Sequence, residues 1–531
     1  MGESASRTKS SSFGYKTVMS LGYSSREADD RYNRLQKKLI PLWKSISSMN
    51  PEPQTIIVVP SMSMDNKLGN VEQAYEERFL FLLFLLRQPS ARLIYITSRP
   101  IPQCIIDYYL GLLPGVVPGH ALNRLFLLSP QDGSHRPLIE KILERPRFVQ
   151  KIRSCVLDPD RAHIVPFNTT IMERDLALRL GIPMYAADPK FFQLGSKSGG
   201  RRLFSEEAVS HPLGYENLTG IGQVVEAICS MRAKKTIAKV ILKLNEGVSG
   251  EGNAIVDLDG LPPPGSPQEQ DAIAVKLRRM QMESAEIKFK TYVEKLAHRG
   301  GIVEEMLQGE EVRSPSVQMR VTPLGELQIL STHDQLLGGR GGQSYLGARF
   351  PADLSYAATI SREAAKVGKR LAREGVIGRF ACDFLVVRSK GGEWNAYAIE
   401  LNLRKGGTTH PFLTLQFLTD GTYNPETGVF LTPAGQPKYL VAGDHVKSPA
   451  YRAFVPEDLF DITVRRGLHY DHVRQRGIVF HMMSALPEYG RTGLTAIADS
   501  HEEAYGMYQR TFEVLHEEAA LALKDPGLPD F

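Results

Sequence analysis

Cysteine is scarce, four in 531 residues, and the four are scattered. Cys104, Cys155, Cys229 and Cys382 form neither a CxxC pair nor a histidine-spaced zinc pattern, so they read as reduced thiols and exclude a disulfide scaffold. Long apolar runs are also missing. The most apolar stretch, FLFLLFLL from Phe79 to Leu86, is flanked by Glu76, Glu77, Arg78 and Arg87. It is too short to span a bilayer and reads as a buried helix. The start, MGESASRTKSSSFGYK, lacks the apolar centre of a secretory signal and reads as a polar tail, although Met-Gly with Ser6 formally fits the myristoylation pattern. No block of like charge stands out, and 64 Lys and Arg against 59 Asp and Glu leave a net charge of only +5. That balance, with no aromatic platform motif, argues against nucleic acid as a partner. No GxGxxG follows a strand and no GKS/T closes a phosphate loop, which excludes a dinucleotide fingerprint and a Walker site. Internal repeats are absent. The expectation is a cytoplasmic protein with no membrane contact.

The chain does contain ordinary globular material, 42% hydrophobic and 23% charged, in a length that suggests about two to four domains. Residues 1–50 read as a tail followed by an amphipathic helix over Asp29–Ser48. From 51 to 190 apolar strands (TIIVVP, RLIYITS, RLFLLS, Ala162–Pro166) alternate with helical stretches, which predicts a parallel, Rossmann-like α/β layer. Residues 191–429 change texture. Ser196 is positioned to cap a helix, KVILKLNEGVSGEGNAIVDL reads as a glycine-rich hairpin, and Asp271–His298 as one long charged helix. GRFACDFLVV and NAYAIELNL are neighbouring strands. STHDQLLGGRGGQSYLGARFP, 331–351, reads as a long glycine-rich binding loop or lid carrying His333, Asp334, Gln335 and Arg340. Residues 430–531 form a last α/β segment, expected either to complete the sheet or, the preferred reading, to cover the site.

Chemistry concentrates in four places. In AIELNLRKGGTTHP, side chains alternate across the strand, so Ile399, Leu401 and Leu403 face the core while Glu400 and Asn402 share the other face. A carboxylate and an amide oxygen at a strand end suit a hard cation; an edge strand with a solvated face is the plainer alternative. Asp383, in an otherwise apolar strand, falls beside them. Lys243 precedes a turn with Gly247, Gly250 and Gly252, whose bare backbone can close over phosphate oxygens. IVEEMLQGEEV offers a hinge whose alternating N–H and C=O groups suit an adenine edge, with Glu311 in reach of ribose hydroxyls; read alone, it is an exposed acidic strand.

The order of these features, a lysine opening a helix at 197, a lysine and glycine hairpin at 243–252, an acidic hinge at 304–311, an Asp on one strand and ExN on the next, resembles the ATP-grasp superfamily over about residues 190–415. Its nucleotide and metal motifs look like the D-alanine–D-alanine ligase type. ELNLRKGGTTHP and HMMSALPEYGRTGLTAIADS resemble a narrower group, the pheganomycin-type peptide ligases. The resemblance implies an ATP-grasp fold with a lid over about 197–310. It also implies an ADP-forming ligase that joins a small-molecule or peptide carboxylate to an amine through an acyl phosphate. Lys197 and Lys243 would contact the α- and β-phosphates under a flap of Val248, Ser249, Gly250 and Gly252. Glu304, Glu305 and Leu307 would read adenine, and Glu311 the ribose. Asp383, Glu400 and Asn402 would hold one or two Mg²⁺. Arg404 would face the acyl phosphate with Lys405, where Gly406 and Gly407 permit close approach. Thr408, Thr409 and His410 would line the acyl-substrate end with His333 and Arg340, although His410 before Pro411 also reads as a turn residue. Where the D-alanine ligases have an Arg, this chain has Ala381, and Arg379 two residues back is the substitute cation. A non-ligating ATP-binding module and an ATP-grasp phosphotransferase are the alternatives. A homodimer is expected on general grounds only.

Overall fold

Strand β1 (Gln54–Val59) is buried at all six positions, because helical segments cover both faces of the sheet it centres. It pairs in parallel with β2 (Ala91–Ile96) and β4 (Ala162–Pro166), and β2 with β3 (Leu125–Leu128), giving the order β3-β2-β1-β4. This is the α/β layer expected from the alternating apolar runs. The FLFLLFLL stretch is a 3-10 helix, Arg78–Arg87, with nearly every side chain buried. The first helix is interrupted, running Ser25–Gln36 and then Leu39–Ser47. This computed structural model describes residues 25–48, 52–63, 71–113, 115–247, 250, 252–284 and 287–524.

The chain divides into two compact units. One comprises residues 212–306 with 339–344, and the other the remainder of the described chain. The smaller carries a five-stranded sheet of β5 (Gly214–Leu218), β6 (Lys239–Leu244), β7 (Asn253–Asp257), β8 (Gln281–Met282) and β9 (Gly301–Glu305), ordered β5-β9-β6-β7-β8. The single helix read over Asp271–His298 is corrected here. It breaks into Glu269–Arg278 and Phe289–Arg299, because Gln281–Met282 pairs with β7 and Glu283 turns to bond Gly341 N and Ser344 Oγ, both at 2.7 Å. Competing backbone and side-chain partners override the helical pattern.

The larger unit holds a nine-stranded sheet. It comprises β10 (Glu311–Arg313), β11 (Pro315–Val321), β12 (Leu327–Gly338), β13 (Ser344–Phe350), β14 (Gly378–Arg388) and β15 (Trp394–Asn402). After a small hairpin of β16 (Thr422–Asn424) and β17 (Val429–Leu431) come β18 (Tyr439–Lys447), β19 (Gly477–His481) and β20 (Arg491–Ala498). The order is β10-β14-β11-β12-β13-β18-β20-β19, with β15 also on β14. Residues 331–351 are therefore not a loop. They are two strands around a tight turn, where Gly339 and Gly342 take φ of +86° and +70°. Polar side chains disguised the strand: Ser331, Thr332 and His333 are fully buried but hydrogen-bonded, His333 Nε2 to Ser331 Oγ at 2.9 Å. The C-terminal strands complete the same sheet through β13–β18 pairing. The expected lid began at 197; the compact unit begins at 212, because helix Lys197–Glu206 lies on β15.

The candidate nucleotide and ligation site

In β14 Cys382 and Phe384 lie in the core and Asp383 between them faces the other way; in β15 Leu401 lies in the core with Glu400 and Asn402 on the other face. A bulge at Ile399 shifts the alternation, so Ala398, and not Ile399 as expected, joins the core, and Ile399 is only partly buried. Register does the rest. Asp383 pairs directly with Glu400, Ala381 with Asn402, and Asn402 Nδ2 donates to Asp383 Oδ2 at 3.1 Å. Helix Lys197–Glu206 lies close to β15 because Gly200 faces Leu401, where a Cβ would already stand 3.6 Å from the Leu401 Cβ. Ser196 caps that helix, its Oγ accepting from Gly199 N at 3.0 Å. The result is that Lys197 Nζ reaches Glu400 Oε1 at 2.7 Å. Burial, then the neighbouring Glu400 charge, push the Asp383 carboxyl above its usual range, against Ser316, Arg404 and Lys197. Two carboxylates held this close form a site that favours added positive charge.

The next residues turn away from the strand. Burial lowers the Arg404 guanidinium, while Glu400 and Asp383 raise it. Lys405 is 8% exposed and donates to Pro166 O at 2.5 Å; burial, then Arg379, lower its ammonium to about 7. Arg379 lies opposite Arg320 on β11, and burial followed by Arg320 lowers it to about 10; its Nη1 has no hydrogen-bond partner among the described residues. Gly406 N donates to Thr409 Oγ1 at 3.0 Å, and Gln318 bonds Thr409 Oγ1 and Thr408 O at 2.9 Å each. Gln318 also meets His333 Nε2 at 3.1 Å, so His333 is part of a buried network. His410 is not a turn residue. It stands in the first turn of helix Thr409–Thr419, and its Nε2 meets His481 Nε2 at 3.1 Å. Glu311 accepts from Arg313 Nε at 2.6 Å and Arg388 Nη2 at 2.7 Å.

Within the smaller unit, Lys243 on β6 and Glu304 on β9 form a buried ion pair. Glu305 pairs with Lys235 Nζ at 2.5 Å and accepts from Leu213 N at 3.0 Å, while its own N–H goes to Leu213 O. Gly250 takes φ of +81°, and a Cβ there would lie 2.7 Å from Gln343 O, so only glycine fits. Val248 and Ser249 lie outside the described residues. Arg340 is exposed, with its carbonyl bonded to Gln281 Nε2 at 3.1 Å. Leu307 is the residue at which the chain returns to the larger unit. Sequence reasoning overlooked Gln318, Ser316, Asp444 and His481. His481 opens the HMMSALPEYG motif, a signal that was available; Gln318 was hidden in a strand of mixed polarity.

The chain belongs to the ATP-grasp family and is an ATP-dependent ligase. A family model described as IQCH-like, ATP-grasp matches residues 268–426, and one described as PGM1 C-terminal domain matches 458–511. An L-propargylglycine–L-glutamate ligase from Streptantibioticus cattleyicolor is 31% identical over 83% of this chain and 88% of its own length. The IQ motif-containing protein H of Danio rerio is 23% identical over 93% of this chain, which spans about half of that relative (51%). Among solved structures, a Campylobacter jejuni biotin carboxylase with a bound ATP analogue superposes with a TM-score of 0.52 at 13% identity, covering 90% of this chain and 96% of that one. The biotin carboxylase domain of Hydrogenobacter thermophilus 2-oxoglutarate carboxylase gives 0.51 at 14%, covering 87% and 89%. These structural likenesses concern the fold. Among the described residues no helix is long and apolar enough to cross a membrane.

Proposed function

We propose that the protein joins the carboxylate of one amino acid to the amine of another through an acyl phosphate, with release of ADP and phosphate. A substrate carboxylate oxygen attacks the γ-phosphorus of ATP and ADP leaves. The amine then attacks the acyl carbon, loses a proton and expels phosphate. The observation that carries this reading is the Asp383–Glu400–Asn402 set on paired strands with Lys197 on Glu400. The amino-acid substrate class is supported by the L-propargylglycine–L-glutamate ligase.

Asp383, Glu400 and Asn402 would hold Mg²⁺. They are oxygen donors in which each of the two carboxylates raises the need for a cation. When bound, that ion neutralises triphosphate charge. Lys197 orients Glu400. Lys243 exchanges part of its bond with Glu304 for a phosphate oxygen, and Gly250 and Gly252, with Val248 and Ser249, cover the phosphates. Glu304, Glu305 and Leu307 contact adenine, and Glu311 moves from its arginines to the ribose. Arg404 steadies charge on the acyl phosphate, and Arg379 and Lys405 supply further positive charge toward the carboxylate end, with Gly406, Thr408 and Arg340 on the substrate side; His333 supports that end through its buried network. The test is incubation with MgATP, a mixture of amino acids and hydroxylamine. ADP together with an aminoacyl hydroxamate is expected and names the acyl donor. AMP, or ADP with a stable phosphorylated product and no hydroxamate, would overturn the reading.

A further inference from the structure

A second constellation is made of other residues of the larger unit. His410 opens helix Thr409–Thr419, Asp444 lies on β18 and His481 ends β19. His481 Nε2 is 2.8 Å from Asp444 Oδ1, and His410 Nε2 is 3.1 Å from His481 Nε2 and 3.5 Å from the same carboxylate oxygen. All three side chains are buried. Gly493 backs the group, since a Cβ there would fall 2.1 Å from His481 Nε2; only a glycine leaves room for that ring.

Hydrogen bonds alone serve this triangle poorly. Protons on both Nε2 atoms would collide across 3.1 Å. With one proton, on His481 and shared with Asp444, His410 turns a bare lone pair toward the same carboxylate oxygen. Its own proton then sits on Nδ1, which finds no acceptor among the described residues. A cation at the centre makes all three facing lone pairs favourable. The spacing suits one: donors held at metal bonds of about 2.0–2.1 Å stand roughly 3.0–3.4 Å apart, depending on coordination angle. Arg78 Nη1 donates to the outer oxygen, Asp444 Oδ2, at 2.6 Å, fixing Oδ1 toward the imidazoles as a supporting residue does around a metal ligand.

We propose that His410, Asp444 and His481 form a second metal site for one divalent transition ion of the zinc class. Two imidazole nitrogens exclude Mg²⁺ and Ca²⁺ as the preferred occupant. Arg78 already offsets Asp444, so the ion's charge calls for an anionic fourth ligand, a hydroxide or a carboxylate. The site is separate from Asp383, Glu400 and Asn402, and its test does not depend on ligation.

The full-length protein is stripped with a chelator, kept in excess Mg²⁺ so that the oxygen-donor set is filled, and titrated with Co²⁺. One equivalent of bound cobalt with strong visible d–d bands, shifted by azide and displaced by Zn²⁺, is expected. H481A and H410A should each lose the bands and weaken Co²⁺ binding at least about tenfold, with unchanged circular dichroism and MgATP binding. Should either variant not fold, X-ray absorption of the zinc-loaded wild-type protein decides, with two imidazole scatterers expected. Absence of stoichiometric cobalt, bands that persist in folded H481A, or a zinc shell without two imidazoles would overturn the site.

Discussion

Lys243–Glu304 in the smaller unit and Lys197–Glu400–Asp383 in the larger are built from the same chemical groups but solve different problems. Lys243 and Glu304 lie on adjacent strands and hold one another in a buried pair. Where Asp383 in the middle of β14 faces Glu400 near the end of β15, one lysine stands by two carboxylates placed opposite each other by register. Removing Lys243 takes the ammonium from a buried carboxylate, which costs stability as well as a phosphate contact. Removing a member of the second relieves like-charge repulsion in the protein and takes away a cation's ligands, which is a functional effect. The lesson is that the same groups differ by placement: a lysine and a glutamate on adjacent strands hold one another, whereas two carboxylates set opposite by register leave a place for a cation.

The contrast between the two clusters predicts a ranking of effects. Glu400→Gln with Asn402→Ala should lower Mg²⁺-dependent ADP release on the order of 10³-fold, by analogy with loss of a principal electrostatic stabiliser, while the melting temperature holds or rises. A collapse in folding instead would assign the strand ends a structural role. Lys243→Met should cost about 3–5 kcal/mol in the smaller unit, because Glu304 stays buried; hydrogen exchange over 239–257 and 301–305 reads the loss, and unaltered protection would break the contrast. Gly200→Val should cost about 1–3 kcal/mol and reduce turnover with it, by pushing helix Lys197–Glu206 off Leu401; thermal unfolding and ADP release should move together.

A fourth prediction concerns pH. The folded-state Lys405 ammonium is lowered to about 7, below its unfolded value. Between those two values the unfolded chain binds the extra proton, so stability rises with pH through that window and the penalty is fully present below about 7. Lys405→Met should flatten that slope and gain most over wild type on the acid side, as denaturant midpoints at several pH values would register. The smallest effect is expected from Glu283→Gln. It weakens bonds to Gly341 N and Ser344 Oγ by about 1 kcal/mol, seen as faster exchange across 339–344. No change there would show that the turn does not need the carboxylate.

What could be read from the residues followed from how locally each feature is encoded. Strands 54–59, 91–96 and 162–166 were legible because uninterrupted apolar runs of that length, set between helical stretches, fit little besides buried parallel strands. The Asp383, Glu400 and Asn402 face was legible because period-two alternation puts these residues opposite Cys382, Phe384 and Leu401; the bulge that brings in Ala398 in place of Ile399 was not. β12 was not, because its buried Ser331 and His333 depend on Gln318 thirteen to fifteen residues earlier, and Thr332 on Tyr423 far downstream. The break in 271–298 depended on β7 and on the turn at 339–344, neither of which a helical period can reveal. His410, Asp444 and His481 come together only through pairing of β18 and β19 with β20, and no spacing rule announces a triangle drawn from three distant elements.

Glu77 and Arg78, side by side where the Arg78–Arg87 helix starts, have consequences for how the chain is made. Glu77 accepts from Met483 N at 2.6 Å and Ser484 N at 3.0 Å, and Arg78 binds Asp444. Those partners are 366 to 407 residues downstream, so at 5–20 residues per second they leave the ribosome roughly 20–80 s later. Throughout that interval the α/β layer, though first to emerge, holds a carboxylate and a guanidinium that it cannot yet afford to bury. The start of this helix therefore gains its last partners only with the C-terminal segment, and a chain truncated before residue 444 leaves Arg78 without that carboxylate.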